Sequence, residues 1–299
     1  MTASACTLCP RACGAERSAG QLGYCRMPAG AYIARAAPHF WEEPCISGDM
    51  GSGAVFFSGC TLRCRFCQNS KISAGGYGAP VTAERLRDIF RRLIEVEGCH
   101  NLNLVTGTQF LPEILEALDP KPPVPVVWNT GGYESMQTLK RLDGVVDIYL
   151  PDLKYRDGAL AASLSGAPDY PDVAAAAILE MARQTGPAQF DEDGVMTRGT
   201  LVRHLVLPGY VGNSLSCVEW VAEHFPDGSV PLSLMSQYTP MPGLEPPLDR
   251  RVTADEYAAV CSWAKMCGIK TGYVQDFASA SEDYIPDFSL EGVLSDDPQ

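Results

Sequence analysis

Three thiols, Cys60, Cys64 and Cys67, stand within eight residues at spacings of four and three. They follow an apolar run, Gly53 to Ser58, that reads as a strand, so a tight loop must begin where the strand ends. A loop of that size wraps one cubane. A 4Fe–4S cluster ordinarily takes four cysteine ligands, and no fourth cysteine lies near in sequence, which leaves one iron open to an outside ligand. Zinc is the weaker account, because its loops favour paired C-x2-C knuckles. Buried structural thiols would not need such density.

A second group, Cys6, Cys9, Cys13 and Cys25, offers four candidate ligands in a Gly-rich segment. Four ligands with turn residues between them suit a closed site. Zinc held by four thiolates is the preferred reading, since it would stabilise a segment too short for its own core; an auxiliary 4Fe–4S cluster accepts similar spacing and competes with it. Cys45, Cys99, Cys217, Cys261 and Cys267 lack ligand spacing and read as small buried hydrophobes. His39, His100 and His224 are isolated from one another and read as packing or surface residues. Glu42 and Glu43 are adjacent, and on an extended segment their carboxylates should point opposite ways.

The whole chain limits what these groups can serve. Twelve cysteines with no export signal in view argue for reduced thiols and ligation rather than a disulfide framework, hence for the cytoplasm. A net charge of −13 argues against binding nucleic acid, which needs clustered Lys and Arg. No apolar window is long enough to span a membrane. From Asp276 onward seven residues are acidic and none basic, which reads as a solvated, partly ordered tail.

The elements that must position the thiols form a repeated β-α pattern. Strands are predicted at Gly53 to Ser58, Asn101 to Val105, Val124 to Trp128, Val145 to Leu150, Thr200 to Leu207, Val230 to Met235 and Thr271 to Gln275. A helix N-capped by Thr82 carries Leu86, Ile89, Phe90, Leu93 and Ile94 on one face and stops at Gly98. Another starts at Thr253, with Glu256 completing a capping box and Gly268 after its last turn. Such a pattern closes as a full or partial (β/α) barrel or opens as a doubly wound sheet, and both place sites at the carboxyl ends of the strands. Cys60, Thr106, Asn129, Asp152, Lys154 and Gln237 all follow predicted strands, so one site on one face is expected. The expected division is a Cys-rich metal-binding module over 1–50, the main domain over 51–275 and the acidic tail over 276–299.

The cluster loop, with aromatic Phe66 just before the last cysteine, resembles the radical S-adenosylmethionine superfamily. Within it the chain resembles the activases of glycyl-radical enzymes, as in pyruvate formate-lyase activating enzyme, and most of all the activating-enzyme-like proteins. The resemblance is carried by His39 to Gly59, the loop ending in Gln68-Asn69, Asn129-Thr130-Gly131, Asp152-Leu153-Lys154 and Arg203 to Gly209. It implies a partial (β/α) barrel with a 4Fe–4S cluster on Cys60, Cys64 and Cys67, whose open iron takes S-adenosylmethionine. It also implies an electron donor such as flavodoxin or ferredoxin, and radical removal of hydrogen from a substrate, a glycyl residue of a partner enzyme in the activases.

By the same resemblance Asp152 and Lys154 meet the ribose and carboxylate of S-adenosylmethionine, and Asn129 and Thr130 lie near it. Arg203 matches an activase arginine, while His204 should face the opposite side of its strand. Two stretches depart from the activase pattern. Thr106-Gly107-Thr108-Gln109 stands where activases carry Gly-Gly-Glu, and Ser236-Gln237-Tyr238 where many carry Tyr-His. The second departure favours modification of another peptide or a small molecule. A metal-binding interaction protein without turnover is the alternative from another class.

Overall fold

In the computed structural model, which describes residues 5–275 and 286–294, the continuous apolar runs of the sequence are parallel strands covered on both faces. Eleven strands are present among the described residues: β1 (Ala31–His39), β2 (Ser52–Phe57), β3 (Ala79–Val81), β4 (Leu102–Val105), β5 (Val126–Thr130), β6 (Ile148–Pro151), β7 (Gln189–Phe190), β8 (Met196–Thr200), β9 (Val202–Leu205), β10 (Leu232–Met235) and β11 (Gly272–Val274). Every residue of β2, β4, β5 and β6 is buried, as expected where helices pack on both sides of a parallel sheet.

Eight strands lie in the order β3-β1-β2-β4-β5-β6-β8-β7, and three more in the order β11-β10-β9. From β2 through β8 the neighbours run parallel, as do β9, β10 and β11. A single parallel bridge, Asp152 to Arg203, joins the two sheets at β6 and β9. The result is a mixed α/β fold whose parallel strands curve as an open, partial barrel.

The helix after Thr82 forms as its pattern dictates. The Thr82 side chain accepts from the Arg85 amide, Leu86, Ile89 and Phe90 face the core, and Ala83–Arg91 continues as a π turn over Arg92–Val96 before Gly98 turns the chain at φ 70°. Thr253 and Glu256 make both halves of the capping box on Ala254–Met266.

Two stretches behave differently from their sequence reading. β1 lies within residues 1–50, yet it is hydrogen-bonded antiparallel to both β2 and β3, so this part of the expected module belongs to the sheet. Of the acidic tail, 276–285 and 295–299 lie outside the described residues; the described part is docked, not solvated. The Leu290 amide donates to the Ala34 carbonyl and the Ala36 amide to that of Glu291. Phe288 sits edge-on to Phe56 at 5.6 Å, and Val293 is 1% exposed in the main core. Apolar burial at two positions outweighs the local excess of charge, and Glu291 itself meets Arg35 at 2.9 Å. Among the described residues no helix is long and apolar enough to cross a membrane.

Candidate active site

One cleft opens over the carboxyl ends of the parallel strands. Cys60, Cys64, Phe66 and Cys67 line it from the loop after β2, Thr106 from the end of β4 and Asn129 from β5. Asp152 and Lys154 follow β6, Arg203 lies on β9, and Gln237 follows β10. All ten residues singled out for this face are thus brought together.

The loop leaves β2 through Gly59, at φ 78°, where an added Cβ would lie 2.7 Å from the Cys25 carbonyl oxygen. Both the positive φ and that close approach require glycine. Beyond it the sulfurs collect donors: the Leu62 amide to Cys60 at 3.4 Å, Ser165 Oγ to Cys64 at 2.9 Å and Ser73 Oγ to Cys67 at 3.3 Å. Burial, reinforced by the neighbouring Cys64, pushes the Cys60 thiol up to about 12, and burial raises Cys67 as well. Bare thiolates at Cys60 and Cys67 are therefore costly here, whereas metal ligation removes the protons outright. The Phe66 ring packs against Tyr238 at 6.2 Å, which fixes the loop from its far side.

Below the thiols lies a buried charge network. Arg203 reaches Asp152 Oδ1 and Glu42 Oε2 at 2.9 Å each and donates to Asn129 Oδ1 at 2.7 Å. Lys154 Nζ lies 2.5 Å from Asp152 Oδ2. Burial alone would raise Asp152, but Arg203 and then Lys154 hold it below the usual carboxylate range. Lys154 loses by burial and gains more from Asp152 and the thiols, so it remains an ammonium. Burial raises Glu42, which Arg203 pulls back, together with the side-chain amides of Asn129 at 3.0 Å and Asn103 at 3.2 Å. Glu43, 4.0 Å from Arg203, is pushed by burial up to about 7.

Glu42 and Glu43 do not diverge as an extended segment would make them. The chain bends at Glu42 and enters a short helix, Pro44–Ser47, and both carboxylates turn toward Arg203. Glu42 lines the cleft. Its partner Arg203 is 161 positions away, and the only local signal was the unbroken match of His39 to Gly59. His204 turns into the core, with Nδ1 on the Leu153 carbonyl and Nε2 on Ser214 Oγ. His39 lines the cleft against Phe56.

Of the stretch Thr106 to Gln109, only Thr106 meets the cleft, in a left-handed conformation at φ 59° that is rare for a β-branched residue. Thr108 Oγ1 is committed to Glu134, and the Gln109 amide donates to the carbonyls of Ser58, Gly59 and Thr106. Gln109 therefore braces the root of the thiol loop. Gln237 faces the cleft, while Tyr238 is buried and donates to the Leu248 carbonyl.

Cys6, Cys9, Cys13 and Cys25 gather apart from the cleft, and none lines it. Among the described residues no three His, Cys, Asp or Glu side chains stand close enough to share one metal ion, at 60–67 or elsewhere.

Comparison with known proteins gives the class first. Residues 54–185, from within β2 to the end of the helix Tyr170–Thr185, match the model of the Radical SAM superfamily. That superfamily works with a 4Fe–4S cluster and S-adenosylmethionine. Among individual proteins, an uncharacterized protein of Methanocaldococcus jannaschii is 28% identical over 266 residues, covering 84% of this chain and 71% of that one. Among solved structures, SuiB of Streptococcus suis bound to S-adenosylmethionine is 12% identical with a TM-score of 0.47, over 75% of this chain and 52% of SuiB. A spore photoproduct lyase variant with dinucleoside spore photoproduct is also 12% identical, with a TM-score of 0.46 over 73% of this chain and 74% of the lyase. The chain thus spans about half the length of SuiB.

Proposed function

We propose that this is a radical S-adenosylmethionine enzyme in which Cys60, Cys64 and Cys67 hold the 4Fe–4S cluster and the charged floor of the same cleft holds S-adenosylmethionine. The observation that carries the reading is the meeting, in one cleft, of three thiols with Lys154, Asp152 and Arg203. That donor set fits the cofactors: soft thiolates for iron, an ammonium for a carboxylate, and a carboxylate for hydroxyl donors. When bound, the reduced cluster and S-adenosylmethionine supply a 5′-deoxyadenosyl radical that takes a hydrogen atom from the substrate.

The chain's own residues bind and shield. Lys154 takes the methionyl carboxylate and Asp152 the ribose hydroxyls, with Arg203 holding both Asp152 and Asn129 in place. Thr106 offers polar atoms to the methionyl amine. Phe66, Leu62, Leu205 and Met235 form the apolar wall that keeps water from the reacting atoms. Gln237 stands where the substrate enters. The cleft continues past Glu42, Arg203 and Gln237 into a second hollow lined by Phe40, Trp41, Tyr273 and Val274, which supports a peptide or protein substrate, a glycyl residue of a partner enzyme among them. The electron comes from a donor of the flavodoxin or ferredoxin kind, in the reducing cytoplasm.

The test is anaerobic reconstitution followed by electron paramagnetic resonance of the reduced protein with and without S-adenosylmethionine, and assay of 5′-deoxyadenosine. The expected result is a signal shifted by S-adenosylmethionine and absent from Cys64→Ala, with 5′-deoxyadenosine formed. A signal indifferent to S-adenosylmethionine sinks the proposal. Radical transfer to a glycine-containing peptide supports the glycyl substrate; cleavage without it favours another peptide or a small molecule.

A further inference from the structure

We propose that Cys6, Cys9, Cys13 and Cys25 hold a second 4Fe–4S cluster, fully ligated by this chain, against the back of the loop that carries Cys60, Cys64 and Cys67. Four observations lead there. First, the four thiols face one another. Cys25 interacts electrostatically with Cys6 and Cys13, and Cys9 with Cys6 and Cys25. A Cβ placed on Gly23 would lie 3.2 Å from the Cys25 sulfur and 3.5 Å from that of Cys13, so the two flank a single α-carbon.

Second, the backbone closes a tight turn around these thiols. Backbone pairs Cys6 N to Ala15 O and Gly14 N to Cys6 O, both 3.1 Å, close this turn.

Third, Cys6 to Cys13 spans eight residues, like Cys60 to Cys67, with the two spacings reversed. Cys25 supplies the fourth ligand that the cleft site lacks. Fourth, the segment is hydrogen-bonded to the loop of Cys60, Cys64 and Cys67.

The two loops share their backbones. Arg63 donates to the Tyr24 carbonyl at 3.3 Å, Arg11 to that of Thr61 at 2.9 Å, and a Cβ added to Gly59 would lie 2.7 Å from the Cys25 carbonyl oxygen.

The experiment is metal and sulfide analysis of the full chain after anaerobic reconstitution, with electron paramagnetic resonance. Wild type, the triple variant Cys60→Ala/Cys64→Ala/Cys67→Ala and the double variant Cys9→Ser/Cys25→Ser are compared. At four irons per cubane the wild type should hold about eight irons and each variant about four. The triple variant's reduced signal should be indifferent to S-adenosylmethionine. About one zinc with four irons in the wild type, or no iron in the triple variant, overturns the proposal. Should the double variant not fold, the triple variant, whose N-terminal thiols are intact, decides alone.

Discussion

Replacing Arg203 by methionine removes the cation from a buried set of carboxylates, and the cost follows from what remains. Arg203 and its partners Glu42 and Asp152 have side chains only 12%, 9% and 16% exposed. Removing one member of a buried pair costs about 3–5 kcal/mol, mostly from the charge left behind. Asp152 keeps Lys154 at 2.5 Å and Glu42 keeps two amide donors, which places the loss near the lower bound, about 3 kcal/mol. For a chain of this size that lowers Tm by roughly 5 °C. In the variant the Glu42 carboxyl, raised by burial from its usual 4.5, loses its strongest downward pull. A carboxyl with a raised folded value contributes stability that is present at low pH and lost as pH climbs through that value. The gap between wild type and variant should therefore be small near pH 5 and wide near pH 8, and Glu42→Gln in the Arg203→Met background should recover part of it. Urea unfolding of the cluster-free protein at both pH values, under anaerobic conditions, measures this. A loss below about 1 kcal/mol, the range of a surface ion pair, or a gap independent of pH, would refute the reasoning.

Lys154→Met should weaken S-adenosylmethionine binding to the reconstituted protein about tenfold or more, the equivalent of one charged hydrogen bond; an unchanged Kd by calorimetry removes Lys154 from the cofactor site. His204 is buried as the neutral ring, its value lowered to about 4. It contributes about 3 kcal/mol that is present above pH 6.5 and lost as pH falls toward 4, so His204→Asn should flatten the fall in urea midpoint over that range. Phe288→Ala should cost about 3 kcal/mol by the same unfolding assay, and a loss within about 0.5 kcal/mol, that of an ordinary surface change, would mean that 286–294 is not part of the core.

The parallel strands were legible because both their faces are covered, which writes them as apolar runs such as SGAVFF and LNLV. β1 was not: its sequence, AYIARAAPH, is rich in alanine and contains Arg35 and Pro38, and its strand character comes from β2 and β3 on either side. The run Thr200 to Leu207 read as one strand, but the chain changes sheets at Leu201, leaving β8 and β9. Residues following strands were readable as a site because strand ends converge by topology. Glu42 was not, since its bend and its partner Arg203 are both set by the folded sheet. The stretch Thr106 to Gln109 read only as a departure from Gly-Gly-Glu, and Gln109 is revealed as a brace by its three carbonyl partners.

The docking of 286–294 on β1 bears on the life history of the thiols. Arg35 and Glu291 are 256 positions apart, and contacts of such range close late. Synthesis at about 5–20 residues per second puts Cys67 into the growing chain some ten seconds or more before Glu291 exists. Through that interval the flank of Phe56 that Phe288 covers is open, and the thiol loop hangs from an unfinished scaffold. Its sulfurs meet oxygen and stray metal ions before the fold can exclude either, so in those first seconds protection has to come from the chain's surroundings.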